Sequence, residues 1–171
     1  MFFGALLFCA CEKEMIQPNP QQEDISALKK AKKHTVPFKG TFTQEQTLNE
    51  GAFPFIYVVM EGEGKATHLG KTSLWVGQNW DFSDFSGPAK GDAEVIFTAA
   101  NGDKLYAVLH AYNATELDEN MNPVFATIWG AGTFERGTGR FSDASGSYNL
   151  TADFNFLTGE SNAFYKGEIL Y

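Results

Sequence analysis

From Val36 onward, apolar and polar residues alternate with a period of two. Val36, Phe38, Gly40 and Phe42 fall on one side of an extended segment, with Pro37, Lys39, Thr41 and Thr43 on the other, the pattern of a half-buried strand. Asn49-Glu50-Gly51 then reads as a turn. The apolar run Phe55 to Met60 predicts a second strand, which Gly62-Glu63-Gly64 is expected to break. Thr72, Leu74 and Val76 alternate with Ser73 and Trp75. An acidic, aromatic loop or strand end follows, with Trp80, Asp81, Phe82, Asp84 and Phe85. Asp92 to Ala100 and Lys104 to Tyr112 flank Asn101-Gly102-Asp103, a hairpin signal because Asn and Gly tolerate positive φ. Further strands are predicted over Val124 to Glu135, Ser145 to Leu157 and Ala163 to Tyr171, the polar segments Asn113 to Asn122 and Thr158 to Asn162 serving as connections.

About eight strands with short connections and no long helix predict an all-β fold. The preferred arrangement is a single closed antiparallel barrel, with a β-sandwich as the alternative. The last predicted strand carries apolar residues to Ile169, Leu170 and Tyr171, which suits a closing strand paired on both sides. One strand has an unambiguous phase: Tyr148, Leu150, Ala152, Phe154 and Phe156 share a face opposite Ser147, Asn149, Thr151, Asp153 and Asn155. Lys104 to Tyr112 does not, because Leu105, Ala107, Leu109 and Ala111 oppose Tyr106, Val108, His110 and Tyr112. One of these faces is expected to line a cavity. Tyr106, His110 and Tyr112, with Trp129 on the next predicted strand, are the candidate ligand-binding residues.

The first residues follow no such alternation. Met1 to Ala10 is apolar and uncharged, too short to span a bilayer, which takes about 20 residues, but suited to the core of an export signal. Leu7-Phe8-Cys9-Ala10-Cys11 resembles a bacterial lipobox, with small Ala10 before the cysteine to be acylated. The alternative is a buried N-terminal element with two incidental cysteines. The lipobox reading makes residues 1–10 a lipoprotein signal peptide and Cys11 the lipidation site. Residues 11–35 become a tether with Pro18, Pro20 and a lysine-rich run, and residues 36–171 the barrel domain.

Composition narrows the function classes. The chain has 171 residues, among them 16 Phe and 17 Gly, and a formal net charge of -8. Residues 11–35 carry a net of +1 and residues 36–171 a net of -9, so the presumed barrel is the acidic part. An acidic surface repels phosphate backbones, and no nucleic-acid partner is expected. Cys9 and Cys11 are the only cysteines, which leaves none in residues 36–171 for a disulfide or a thiolate metal site.

Around residues 130–147, Gly137-Thr138-Gly139-Arg140-Phe141 with Ala144-Ser145-Gly146 resembles a signature of allene oxide cyclase-like and dirigent-like barrels and of exported bacterial relatives. Arg136 stands where the first glycine of that signature is usual. Gly64-Lys65-Ala66-Thr67-His68-Leu69-Gly70-Lys71 resembles a second element of those bacterial proteins. The resemblance covers residues 36–171 and implies an eight-stranded antiparallel barrel in which Phe141 can plug the interior and Gly146 permits close strand approach. Plant members of the family include isomerases and proteins that control the coupling of lipophilic molecules. No catalytic motif is matched, so no catalytic residue is carried over.

Other chemistry is sparse. Gly62-Glu63-Gly64-Lys65 lacks the spacing of a phosphate loop, and no Gly-x-Ser-x-Gly elbow is present. His34, His68 and His110 are too far apart for a helical or strand metal pair; His68 suits a structural hydrogen bond at a turn. Asp118-Glu119-Asn120-Met121-Asn122 places oxygen donors like half of a calcium loop, but Pro123 replaces the loop glycine. Asp81, Asp84 and Glu94 are a candidate acid–base set against a reading as surface carboxylates. Trp75, Trp80, Phe82, Phe85, Phe125 and Trp129 are candidates for an apolar pocket or carbohydrate platform against a reading as core. No metal or cofactor is expected.

The resulting expectation is a non-catalytic, lipid-anchored barrel of the bacterial cell envelope. It would meet the membrane through Cys11 and bind a small hydrophobic ligand or a surface partner. An isomerase- or cyclase-type enzyme using the cavity, and a purely structural surface protein, are the alternatives.

Overall fold

A computed structural model describes residues 34–171. The readings made for residues 1–33, including the signal peptide, the acylated Cys11 and most of the tether, lie outside the described residues. The fold is all-β. Its strands are β1 (Thr35–Ala52), β2 (Phe55–Ala66), β3 (Gly70–Asp81), β4 (Ala89–Ala99), β5 (Lys104–Leu117), β6 (Pro123–Gly137), β7 (Ser145–Asn155) and β8 (Glu160–Leu170). Each pairs antiparallel with its sequence neighbours, and β8 pairs with β1 from Thr35↔Leu170 to Glu45↔Glu160, closing the barrel. Closure excludes the sandwich and leaves no free edge.

Two predicted breaks are not breaks. Asn49-Glu50-Gly51 stays within β1, and the chain turns instead at Phe53-Pro54, a cis peptide. Gly62 and Gly64 lie inside β2, where a Cβ would fall on the Thr43 and Thr41 carbonyl oxygens of β1. These glycines let two strands approach closely; they do not end one. A bulge between Gln46 and Leu48 adds a residue to β1, so that Gln44, Gln46 and Asn49 all line the interior despite their uneven spacing.

An eight-stranded barrel has an interior just wide enough for side chains or one small ligand. Here the two ends of the interior differ. The end carrying the 67–69, 100–103 and 138–144 connections is filled. Phe38, Phe97, Phe134 and Phe141 are fully or almost fully buried, and Phe38 meets Phe134 and Phe97 at centroid separations of 4.8 and 5.6 Å, close to edge-on. Rings of this size need small neighbours. Ala66, Ala99, Ala107 and Ala144 are buried at this end, and Gly132 leaves room for Tyr148, whose hydroxyl donates to the Val108 carbonyl at 3.1 Å.

Phe141 seals this end from a short 3-10 turn, Gly139–Phe141. Gly139 has φ +55 and a Cβ there would strike the Asp103 carboxylate, which explains the glycine. Arg140 covers the Phe141 ring at 4.8 Å, lies 3.8 Å from Asp103 and donates to the His68 carbonyl. His68, at φ 69, donates from Nε2 to the Pro37 carbonyl at 3.0 Å, the structural hydrogen bond expected of it. The two glycine-containing segments singled out in the sequence thus meet at the plugged end.

Candidate functional site

The opposite end is the mouth. It is framed by the connections 53–54, 82–88, 118–122 and 156–159. Phe82 N–H donates to the Pro54 carbonyl at 2.9 Å and Phe156 N–H to the Val124 carbonyl at 3.2 Å, tying these connections to their neighbours. Asp118 accepts from the backbone N–H groups of Asn120 and Asn122, each at 2.8 Å, and from the Asn122 amide. Those bonds, the Asn122 backbone first, hold its carboxyl below the usual carboxylate range. The alternating oxygens of 118–122 therefore serve a self-capped turn. Asp81 and Asp84 are likewise held low by the side-chain hydroxyls and backbone of Ser83 and Ser86. Glu94 lies exposed on the outer wall, so these carboxylates form no acid–base set with it inside the barrel. Among the described residues no group of three His, Cys, Asp or Glu side chains could hold a metal ion.

Inside the mouth lies a cavity of about 90 Å³. Its walls are chiefly apolar, with Ile56, Val58, Met60, Val76, Trp80, Leu109, Ile128, Leu150 and Phe154 among them. It opens into a vestibule of about 820 Å³, and Ile56, Phe82, Asn113 and Phe156 border both spaces. The vestibule is rimmed by exposed apolar side chains, including Phe53, Leu117, Met121 and Phe85, the last 82% exposed. Phe53 and Phe82 are 6.2 Å apart and Phe53 and Phe85 5.9 Å, an aromatic cluster at the entrance.

The polar groups lining the inner cavity are mostly amides. Gln44, Gln46, Asn49, Gln78 and Asn113 supply amides, and Ser161 a hydroxyl. Gln44 and Gln78 are 4% and 5% exposed, and the amide nitrogen of each is covered and has no hydrogen-bond partner. A buried donor left unsatisfied costs roughly 1–3 kcal/mol, and native folds rarely keep one without a reason. Among the described residues Tyr165 is the one titratable side chain in the cavity lining, and burial pushes its phenol well above the ordinary range. The cavity can therefore hold apolar groups and form hydrogen bonds near neutrality, and among the described residues no lining side chain is poised to move a proton.

The ligand-binding residues expected from sequence are not in this cavity. On β5 the inward face is Leu105, Ala107, Leu109, Ala111 and Asn113; Tyr106, His110 and Tyr112 point outward. Tyr106 carries Arg136 over its ring at 5.0 Å. His110 pairs across the strands with Asp92, both 78% exposed at the side chain, in an outer groove that also includes Tyr112, Lys90 and Tyr57. A polar contact so exposed contributes little. Trp129, stacked on Tyr112 at 5.9 Å, is outward too but reaches the rim of the vestibule. Of the aromatic candidates, Trp80 and Phe82 line the cavity and Phe85 the vestibule, whereas Trp75 is half-buried on the outer side. Gln44 and Gln78 are the functional residues that the sequence marks only weakly, polar residues at inward positions of β1 and β3. Comparison with protein-family models, with curated proteins and with solved structures gives no match.

Proposed function

We propose that the protein is a non-catalytic, lipid-anchored barrel of the bacterial cell envelope that receives a small hydrophobic ligand through the mouth. One observation carries the binding part: an apolar cavity, continuous with an aromatic vestibule, whose polar lining is amide and hydroxyl rather than acid and base. Apolar walls with a few convergent polar groups are the usual make-up of a small-molecule site. The anchor rests on the lipobox-like Leu7 to Cys11 segment. The resemblance to allene oxide cyclase-like and dirigent-like barrels supports the same reading, since those barrels deal with lipophilic molecules. It supplies no reaction, and among the described residues the cavity lining holds amides, a hydroxyl and a phenol.

One preparation tests both parts. The full chain should enter the detergent phase on temperature-induced partitioning, and Cys11→Ser should release it to the aqueous phase; a variant that stays in detergent removes the anchor. That soluble full-length variant should raise the fluorescence of the neutral apolar dye N-phenyl-1-naphthylamine with saturable, single-site behaviour. Adding Ala152→Trp, which fills the cavity from its wall, should weaken dye binding about tenfold or more, the loss of about 1.4 kcal/mol. Dye binding unaffected by Ala152→Trp would place the dye elsewhere and sink the cavity reading.

A further inference from the structure

We infer that the mouth of the barrel docks on a lipid surface of no net charge, with the tips of its four connections set among the acyl chains. The inference stands on the side chains of the mouth and needs neither the Cys11 anchor nor a bound ligand. Each mouth connection carries a large apolar side chain turned to solvent: Phe53, Phe85, Met121 and Leu157 are between 62% and 82% exposed. Phe55, Leu117 and Phe156 add exposed apolar surface beside these tips. The plugged end is built the other way. Leu69 and Phe141, the large apolar residues of its connections, are buried. Apolar surface gathered at one end of a molecule in this way marks an interaction site.

Shape, layering and charge say what covers this crown. The tips are separate projections around an open vestibule, not one flat patch. A protein partner would need a matching pocket for each, since protein interfaces pack as closely as interiors. Fluid acyl chains close round all four without a complementary shape. Behind the tips, on the outer wall, Trp129 pairs across the strands with Tyr112, and Tyr112 with Lys90. Trp and Tyr gather at the bilayer interface, where one part of the ring is apolar and the other wet, and lysine extends its ammonium to the headgroups. Apolar tips with Trp, Tyr and Lys behind them follow the order of a bilayer read from its acyl chains outward. Charge selects the lipid. Around the mouth Asp81, Asp84, Glu116, Asp118 and Glu119 outnumber Lys90, so an anionic surface would repel it. The Cys11 anchor is compatible with this orientation although β1 starts at the plugged end. The roughly two dozen residues from Cys11 to His34 reach up to about 80 Å, and β1 itself, 18 residues at about 3.3 Å each, is shorter than that.

The test mixes the full chain with vesicles of phosphatidylcholine brominated on its acyl chains, which quench only tryptophans close to them. Phe85→Trp and Leu157→Trp place a reporter at two tips and keep those tips apolar. Ala100→Trp places one at an exposed position of the plugged end. The two tip variants should each lose more emission than the parent, by up to about a quarter, the share of one tryptophan added to the three present. Ala100→Trp should lose no more than the parent. Adding Leu157→Asp to the Phe85→Trp chain should cut the quenching several-fold, and replacing part of the lipid with brominated phosphatidylglycerol should weaken it. Unquenched tips, or equal quenching at all three positions, overturn the inference. A chain that stays on the vesicles through Cys11 with its tips unquenched leaves the anchor standing and removes the docking. Stronger quenching by the anionic vesicles overturns the assignment of an uncharged surface. Unquenched tips together with a concentration-dependent sedimentation coefficient that Phe85→Asp abolishes would make the crown an interface between copies of the chain, and the inference falls.

Discussion

At the scale of single residues, Gln44 and Gln78 are the least economical choices in the barrel. Each sits where leucine or methionine would fill the same space without stranding a donor. If they are kept for a ligand, the empty protein bears their cost, and an apolar replacement should be more stable, the usual sign of a site traded against stability. Gln78→Met is therefore expected to raise stability in urea by about 1–2 kcal/mol, with an unchanged denaturant slope. A destabilised Gln78→Met would show that the amide is already satisfied by bound water. This site was hard to see in the sequence for a simple reason. Gln44 and Gln78 are inward only once the phase of β1 and β3 is known, and β1 changes its spacing at the Gln46/Leu48 bulge. The phase of Tyr106, His110 and Tyr112 is equally ambiguous in sequence, because β5 is fairly apolar on both faces. The large rings of Phe38, Phe97 and Phe134 decide that phase by occupying the interior, which leaves β5 room for Leu and Ala but not for Tyr or His.

At the scale of elements, alternation located the strands well because one face of each is buried against the barrel interior and the other meets water. It misjudged glycine. Gly62 and Gly64 look like punctuation but are demanded by the β1 carbonyls beside them, a relation between strands that no local reading contains. The 138–144 connection was more legible: its glycines answer a positive φ at Gly139 and a close approach at Gly146, and Phe141 enters the interior as the motif implied. The 3-10 turn holds one fully buried ring between Arg140 and Tyr171. Phe141→Ala would open a void at the plugged end, and a loss of about 3–5 kcal/mol is expected on urea unfolding. The same substitution should leave dye affinity at the mouth nearly unchanged, provided it is measured where the variant remains folded. A matching loss of dye affinity would mean that the two ends of the barrel are coupled.

At the scale of the whole molecule, the packing that closes one end also sets how the barrel meets alkali. Tyr148 and Tyr165 lie within 5.5 Å of each other by ring centroid and are buried. Burial raises both phenols above the ordinary tyrosine range, that of Tyr148 further raised by Tyr165, because an ionised ring would be stranded away from water. In the unfolded chain the same phenols ionise near 10. Below that pH both states keep the protons and the full contribution to stability is present. As pH rises through it, the unfolded chain releases protons that the barrel retains, so the folded state loses ground progressively toward the raised native values. The urea midpoint should therefore be level from pH 7 to about 9 and decline steeply above about 10. Tyr165→Phe removes one of the two groups without removing the ring, and its decline should be visibly shallower than that of the parent. An alkaline slope identical in the two proteins would mean that Tyr165 ionises as easily in the barrel as in the unfolded chain. Its hydroxyl would then be in contact with water through the cavity, and the mouth would be wetter than its apolar walls imply.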